Sequence, residues 1–499
     1  MRVPALAVAL LVVLTTAAVS APGGGVAPGP SPDTTGAGSA VPPPSGPLFP
    51  RPPVFEEHVY HHYPDLTTEL QDLAARYPDT SKLTSIGRSV QGRELWQMEI
   101  TDFDVPHEGK HTVYIDGGHH GNEQLGMEMA LQLVHEALYG RLSSPEHLAQ
   151  YHFFVVPMIN PDGNTRDSRT NVNGVDLNRN YDFEWTDESN HGSGPESEPE
   201  ARANANSMRE VDELYGMDLY LSGHTGTNIL IYSWAWTYDL APDDGLLYRI
   251  GSEAHNETGV LFGPTSAELY IATGSSKDFA YGALAAPGFT YEVDDSQNRQ
   301  GTYTTTIAER LTEEIDTCVL VIENVAHYRA DLKVVRVGLR ESGGEKFLSI
   351  DVKNGGWTAA VNASVSVGLS QGTVLGGPSV FTVGADNMTG LVFEVDGSGM
   401  QAVTISLSYK ELQVNTSDTN TTTLVQSVDF GGGGLGAIAA AGGGVLLIAV
   451  AAGAAIILVD RRTGGRLGAQ ARPAVAALRA RLPLRRAGGP RRFRVRPEE

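Results

Sequence analysis

One cysteine, Cys318, stands in 499 residues. A single thiol cannot close an internal disulfide, and it cannot build a cysteine-rich zinc site. Stability has to come from packing, and any metal has to be held by nitrogen and oxygen. Positive charge is also short: 36 Lys and Arg face 59 Asp and Glu, for a net charge of -23. The deficit is uneven. Residues 460–499 hold 12 Arg against 3 acidic residues, so the rest of the chain is more acidic still. A body of that sign repels nucleic acid, which excludes it as a partner. Long uncharged apolar runs are confined to the two ends.

The first of these runs, "MRVPALAVALLVVLTTAAVSAP", has one Arg, an apolar stretch and then small residues. It reads as a secretory signal over residues 1–20. The second covers Gly431–Val459 without a charge. It exceeds the roughly 20 residues a membrane-spanning helix needs. "DRRTGGR" follows at once, and the positive-inside rule keeps that end in the cytoplasm. Both ends therefore predict one topology: a single-pass membrane protein with its body outside, one transmembrane helix at 431–459 and an Arg-rich tail at 460–499 against the lipid headgroups. Residues 21–54 are rich in Pro, Gly, Ser and Ala and read as a linker that buries no core. Asn-x-Ser/Thr sequons at Asn256, Asn362, Asn387, Asn415 and Asn420 fit an exterior location.

Between the ends the pattern changes once. From 55 to 330, strand-like runs alternate with helix-like ones. "LTTELQDLAARYP" predicts an amphipathic helix, "TVYIDGG" a strand, and "NEQLGMEMALQLVHEALYG" a helix with Leu125, Met129 and Leu133 on one face. "HFFVVPMIN", "MDLYLSGH" and "GFTYEV" predict further strands. That alternation predicts an α/β fold whose mixed, largely parallel sheet is sandwiched by helices. From 331 to 430, short β-rich runs such as "KFLSIDVK", "GLVFEV" and "AVTISLSY" predict a small all-β sandwich with its stalk.

The chemistry starts at "DGGHHGNEQLG", Asp116–Gly126. Catalytic zinc takes three protein ligands of nitrogen and oxygen type and keeps one open position. A His and a Glu after a strand supply two, but a lone His-x-x-Glu is weak evidence, and loop histidines bonded near a turn are the plain alternative. Further groups raise its weight. "YLSGHTG" offers His224 at another strand end. "GFTYEVDD" puts Glu292 at the end of an apolar strand, where a charge needs a reason. "NPDGNTRDSRTNVNGVDLNRNYD" packs Arg166, Arg169, Asn178 and Arg179 into one loop, and Arg reads carboxylates bidentately.

Taken together, in this order, these motifs resemble the zinc carboxypeptidases of the pancreatic A/B type, from about Tyr60 to Tyr328. The resemblance implies one Zn2+ per chain held by His120, Glu123 and His224, with His119 a neighbour. It implies Glu292 as general base and Arg169 as the group that polarises the scissile carbonyl. Asn178 and Arg179 would hold the terminal carboxylate of a peptide or protein, Tyr270 would close over it, and Asp176 would orient the first zinc histidine. The expected protein is a membrane-anchored metallocarboxypeptidase trimming C-termini at the cell surface. Rival readings are a zinc amide hydrolase of the same fold, acting on cell-wall or acyl-amino-acid substrates, and a surface binding protein without catalysis.

Some positions depart from the pattern. No inhibitory prodomain of the usual size fits before residue 55, and Asn122 stands where pancreatic members have Arg. The specificity position is Lys277, seven residues after Tyr270. An ammonium there predicts a preference for C-terminal Glu or Asp; the alternative is a Lys that turns to solvent or pairs with Asp278. His58, His61 and His62 read as solvated, and Cys318 as a small core residue.

Overall fold

The computed structural model describes residues 60–293, 305–414 and 419–431, together with the backbone of 446–451 and 454–458. The expected leader, the linker, the Arg-rich tail, His58 and Asn415 lie outside the described residues.

An eight-stranded sheet organises the N-terminal part. Its strands are β1 (Ser81–Arg88), β2 (Glu94–Ile100), β3 (His111–Gly117), β4 (Tyr151–Val156), β5 (Leu219–Thr225), β6 (Ile229–Tyr232), β7 (Leu261–Pro264) and β8 (Gly288–Val293). Their order is β1-β2-β4-β3-β5-β8-β6-β7. The centre, β4-β3-β5-β8, is parallel, while β1, β2 and the β8–β6 pairing are antiparallel.

Successive side chains on a strand point to opposite faces, and here both faces are covered. Val113, Ile115, Phe153, Val155, Leu219 and Leu221 join one core. It is closed by the helices α1 (Tyr63–Arg76), α2 (Gln124–Tyr139), α4 (Asp244–Thr258) and α6 (Thr305–Glu323). Tyr114, Phe154, Val156 and Tyr220 join the other, under α3 (Pro199–Tyr215) and α5 (Ser276–Leu284). Helix α1 buries Leu66, Leu70 and Leu73 at helical spacing and stops before Pro78.

Helix α2 forms where the spacing predicts it, and every residue from Gln124 to Leu138 is buried. It lies between the sheet and α6, so its polar residues need internal partners. Glu128 takes His61, which corrects the solvated reading of that histidine. The His61 backbone N–H and Nδ1 lie 2.6 Å from Glu128 Oε1 and 2.9 Å from Oε2, respectively.

Residues after 330 form separate antiparallel sheets. One contains β9 (Leu332–Ser342), β10 (Glu345–Asn354), β12 (Thr373–Gly376) and β14 (Met388–Asp396). The other contains β11 (Ala360–Leu369), β13 (Val380–Val383), β15 (Met400–Tyr409) and β16 (Asn420–Asp429). Leu348, Ile350, Val352, Phe393, Val403, Ile405 and Leu407 fill the core of this β region. It is not a loose appendage. Leu412 and Val414 belong to the core of the eight-stranded sheet. The buried carboxylate of Asp243 accepts the backbone N–H groups of Gln413 at 2.7 Å and Val414 at 2.8 Å, together with the Tyr281 hydroxyl at 2.9 Å. Asn256, Asn362 and Asn387 are exposed, as sequons must be to be modified.

Among the described residues of 431–459, the expected transmembrane helix is not found. Residues Leu446–Ala451 and Ala454–Leu458 are strands, β17 and β18, that extend the second sheet from β16. Leu446, Leu447, Ile448, Val450, Ile456 and Ile457 satisfy a strand as well as a helix, and an apolar run of either kind looks alike in sequence. Among the described residues no helix is long and apolar enough to cross a membrane.

Candidate functional site

Three chain segments meet at the ends of β3 and β5. Asp116 and Gly117 on β3 pair in register with Ser222 and Gly223 on β5. The start of α2 descends onto that junction, where side chains do not fit. A Cβ on Gly126 would stand 2.4 Å from the Gly223 carbonyl oxygen, and one on Gly223 2.2 Å from that of Gly126. This close approach sets Glu123, at the foot of α2, against His224 at the end of β5.

His120, Glu123 and His224 are all buried, and among the described residues they form the one group of three able to hold a metal ion. His120 Nδ1 lies 2.8 Å from Glu123 Oε2, His224 Nδ1 lies 3.0 Å from the same oxygen, and the two Nδ1 atoms are 3.2 Å apart. Such a triangle suits zinc bonds of about 2.0–2.1 Å. His120 Nε2 donates to Asp176 Oδ1 at 2.9 Å, which turns the Nδ1 lone pair toward the shared centre. The donor set therefore fits zinc. The adjacent His119 is excluded from it: its Nε2 meets the Tyr181 hydroxyl at 2.7 Å, and its ring stacks flat on that of His224 at 5.5 Å.

The groups around this centre share one cleft of ≈ 300 Å³, lined by Arg169, Asn178, Arg179, Tyr270, Lys277 and Glu292 besides the three candidate ligands. Arg169 donates from Nη1 to Glu123 Oε1 at 2.9 Å and from Nε and Nη2 to Asp176 Oδ2 at 3.1 and 2.9 Å. Each of its terminal nitrogens keeps a second N–H for a substrate. Arg179 donates to the Asn178 carbonyl at 2.7 Å and lies 3.4 Å from the hydroxyl of the half-exposed Tyr270. Lys277 is buried in the cleft with Nζ 3.3 Å from Asp278 Oδ1. Asp278 uses its other oxygen for the backbone N–H groups of Ala235 and Trp236. Lys277 thus pairs with Asp278 without leaving the cleft.

Electrostatics separate the carboxylates. Burial works to raise Glu123 and Asp176, but the adjoining imidazole of His120 outweighs it and holds both well below the usual carboxylate range. Burial pushes Glu292 up, helped by the Glu123 charge and opposed by His224. Burial likewise lowers the Lys277 ammonium, against the pull of Asp278.

The sequence is similar to known proteins. The zinc carboxypeptidase family model matches residues 66–315, half of the chain. The chain belongs to the zinc carboxypeptidase family. The metal its members carry is Zn2+, which the His120, Glu123 and His224 set suits. Carboxypeptidase A6 of Mus musculus is 30% identical over 274 residues, covering 48% of this chain and 62% of that protein. Carboxypeptidase B of Astacus astacus is 27% identical over 269 residues, covering 48% of this chain and 88% of that one. Among solved structures, carboxypeptidase A from Helicoverpa armigera aligns at 22% identity with a TM-score of 0.49, covering 54% and 74% of the two chains. The chain therefore spans less than two thirds of the carboxypeptidase A6 relatives it matches.

Several supporting residues escaped the sequence reading. Ser276 donates from its backbone N–H (2.9 Å) and hydroxyl (3.1 Å) to Asn178 Oδ1, fixing the Asn178 amide whose Nδ2 is 3.2 Å from His224 Nε2. Thr225 backbone N–H reaches Glu123 Oε2 at 3.3 Å. Beneath the centre, the fully buried Asp116 accepts from Ser222 and Tyr220 hydroxyls and Asn204 Nδ2, each at 2.7 Å. Only the alternation of "YLSGH", which puts Tyr220 and Ser222 on the face of His224, hinted at that network.

Proposed function

We propose that this chain is a zinc-dependent metallocarboxypeptidase that removes the last residue of peptides or proteins. The observation that carries the reading is the single cleft holding the His120–Glu123–His224 triangle, Glu292 and the Arg179–Tyr270 pair. When bound, zinc supplies Lewis acidity to a carbonyl oxygen and acidifies water. Glu292 accepts a proton from the attacking water and returns it to the leaving amine. Arg169 donates its remaining N–H groups to the oxygen that gains charge. Arg179 and Asn178 grip the terminal carboxylate, and the Tyr270 hydroxyl closes over it. An internal peptide bond offers no carboxylate there, so cleavage is confined to the end.

The ammonium of Lys277 in the cleft supports a preference for C-terminal Glu or Asp. The leader-like N-terminus and the arginine-rich tail support action outside the cell, at its surface.

The test uses the full chain and peptides with free or amidated C-termini. Wild type releases the terminal residue of the free peptides only. Glu292→Gln retains zinc and loses release by about 10²–10⁴-fold. Zinc binding without release from any free peptide would favour an amide hydrolase instead. Protease treatment and carbonate extraction of intact cells test the location.

A further inference from the structure

A second pair of histidines meets at the opposite end of the strands. His152 lies at the start of β4, paired with Thr112 of β3, whereas His224 stands near the end of β5. His107 sits on the loop between β2 and β3. The two rings are 5.3 Å apart, and the Tyr215 ring packs 4.6 Å from His107 and 4.7 Å from His152.

The outer nitrogens of this pair are both committed. His107 Nε2 is 3.1 Å from the carbonyl oxygen of Tyr215. His152 Nε2 is 2.8 Å from Glu99 Oε1. The other oxygen of that carboxylate, Oε2, lies 3.8 Å from the Lys82 ammonium. A carbonyl and a carboxylate only accept, so both Nε2 atoms carry a hydrogen. In neutral rings the two Nδ1 atoms then hold only lone pairs. These Nδ1 atoms face each other at 3.2 Å, the separation found between the Nδ1 atoms of His120 and His224. Two lone pairs at that distance call for a cation between them.

A histidine that binds metal through one nitrogen donates its other N–H to a carboxylate or a backbone carbonyl, which fixes tautomer and ring orientation. Glu99 and Tyr215 do this here. Lys110 is turned elsewhere, to the Thr101 hydroxyl at 2.7 Å and the Asp102 carbonyl at 2.5 Å. His107 is only half-buried, which leaves room for water ligands. We propose that His107 and His152 form a second metal site, taking one transition-metal cation of the zinc or copper(II) class through both Nδ1 atoms, with water completing the coordination. Imidazole nitrogen suits both ions. Such an ion would clip the loop after β2 to β4 and the end of α3. The site does not depend on the proposed catalytic activity.

The test titrates metal-stripped full-length protein with Zn2+ by calorimetry. Two equivalents are expected for wild type, and one for His107→Gln and for His152→Gln, each keeping the tighter equivalent. Copper(II) added to wild type already holding one zinc should give an electron paramagnetic resonance signal with two nitrogen couplings, absent from His107→Gln. His107 lies on a loop, so this variant and the copper signal decide even where His152→Gln fails to fold. A single equivalent in wild type would overturn the site, as would a second equivalent that survives both substitutions. A shared proton between the two Nδ1 atoms in imidazole nitrogen resonances, with one equivalent bound, would assign the cation as a proton and refute the metal.

Discussion

His224 on β5 and Glu292 on β8 are paired residues of adjacent parallel strands. The register sends both side chains to one face, into the same cleft. A candidate ligand and a candidate base are thereby held by backbone hydrogen bonds of the central sheet and not by a loop. A one-residue slip in either strand would turn one of them to the opposite face.

That placement has a pH consequence. The carboxyl of Glu292 is raised by burial, and it must be ionised to accept a proton. Activity should therefore fall as pH drops through a value above the ordinary glutamate pKa of about 4.3. The profile of kcat/KM for peptide release against pH checks this. An acid limb at or below that ordinary value would refute it.

Asp176 serves two partners, His120 Nε2 and the Arg169 guanidinium. Asp176→Ala removes the group that fixes the His120 tautomer. Zinc affinity should drop about 10–100-fold, read by competition with a chelator. Unchanged affinity would show that Asp176 serves Arg169 alone.

Lys277→Leu should reverse the terminal-residue preference, from Glu toward Phe or Leu. The substitution leaves Asp278 its bonds from Ala235 and Trp236. In wild type the Lys277 ammonium is lowered by burial. The kcat/KM ratio for Glu over Phe should therefore decline with rising pH, before the ordinary lysine value of about 10.4 is reached. A wild-type enzyme that releases Phe or Lys fastest would end the acidic-preference reading.

Asp243 binds the β region to the catalytic core through Gln413, Val414 and Tyr281. Asp243→Ala strands those buried donors, at about 1–3 kcal/mol each. The melting temperature should fall by several degrees. The same contacts, with Leu412 and Val414 in the main core, predict that truncation after residue 331 yields an unstable catalytic part. A truncated chain that melts like the full one would refute the coupling.

Much of the site was legible because its residues follow strands. A buried strand is a short apolar run, so a charge at its end, as at His224 and Glu292, is conspicuous. The choice of His120 over His119 came from the resemblance to the zinc carboxypeptidases, whose first motif is His-x-x-Glu. What the spacing could not supply was the company each residue keeps. Ser276 against Asn178 joins positions 98 residues apart, and no local pattern announces it. Nor does local spacing show that α2 is buried on every side, because α6, which packs against it, comes from distant sequence.

Sequence by itself determined the chemistry on offer: nitrogen and oxygen ligands, no disulfide framework, a base at a strand end and an arginine-rich loop. Those are properties of residue type and local period. Tertiary structure alone decided which groups touch. It buried Lys277 beside Asp278, tied His61 to Glu128, set His107 against His152, and laid 446–451 and 454–458 as strands where a helix was expected. The reason is physical. Short apolar runs satisfy helix and strand alike, and polar side chains take partners from whatever the packed sheet brings within reach.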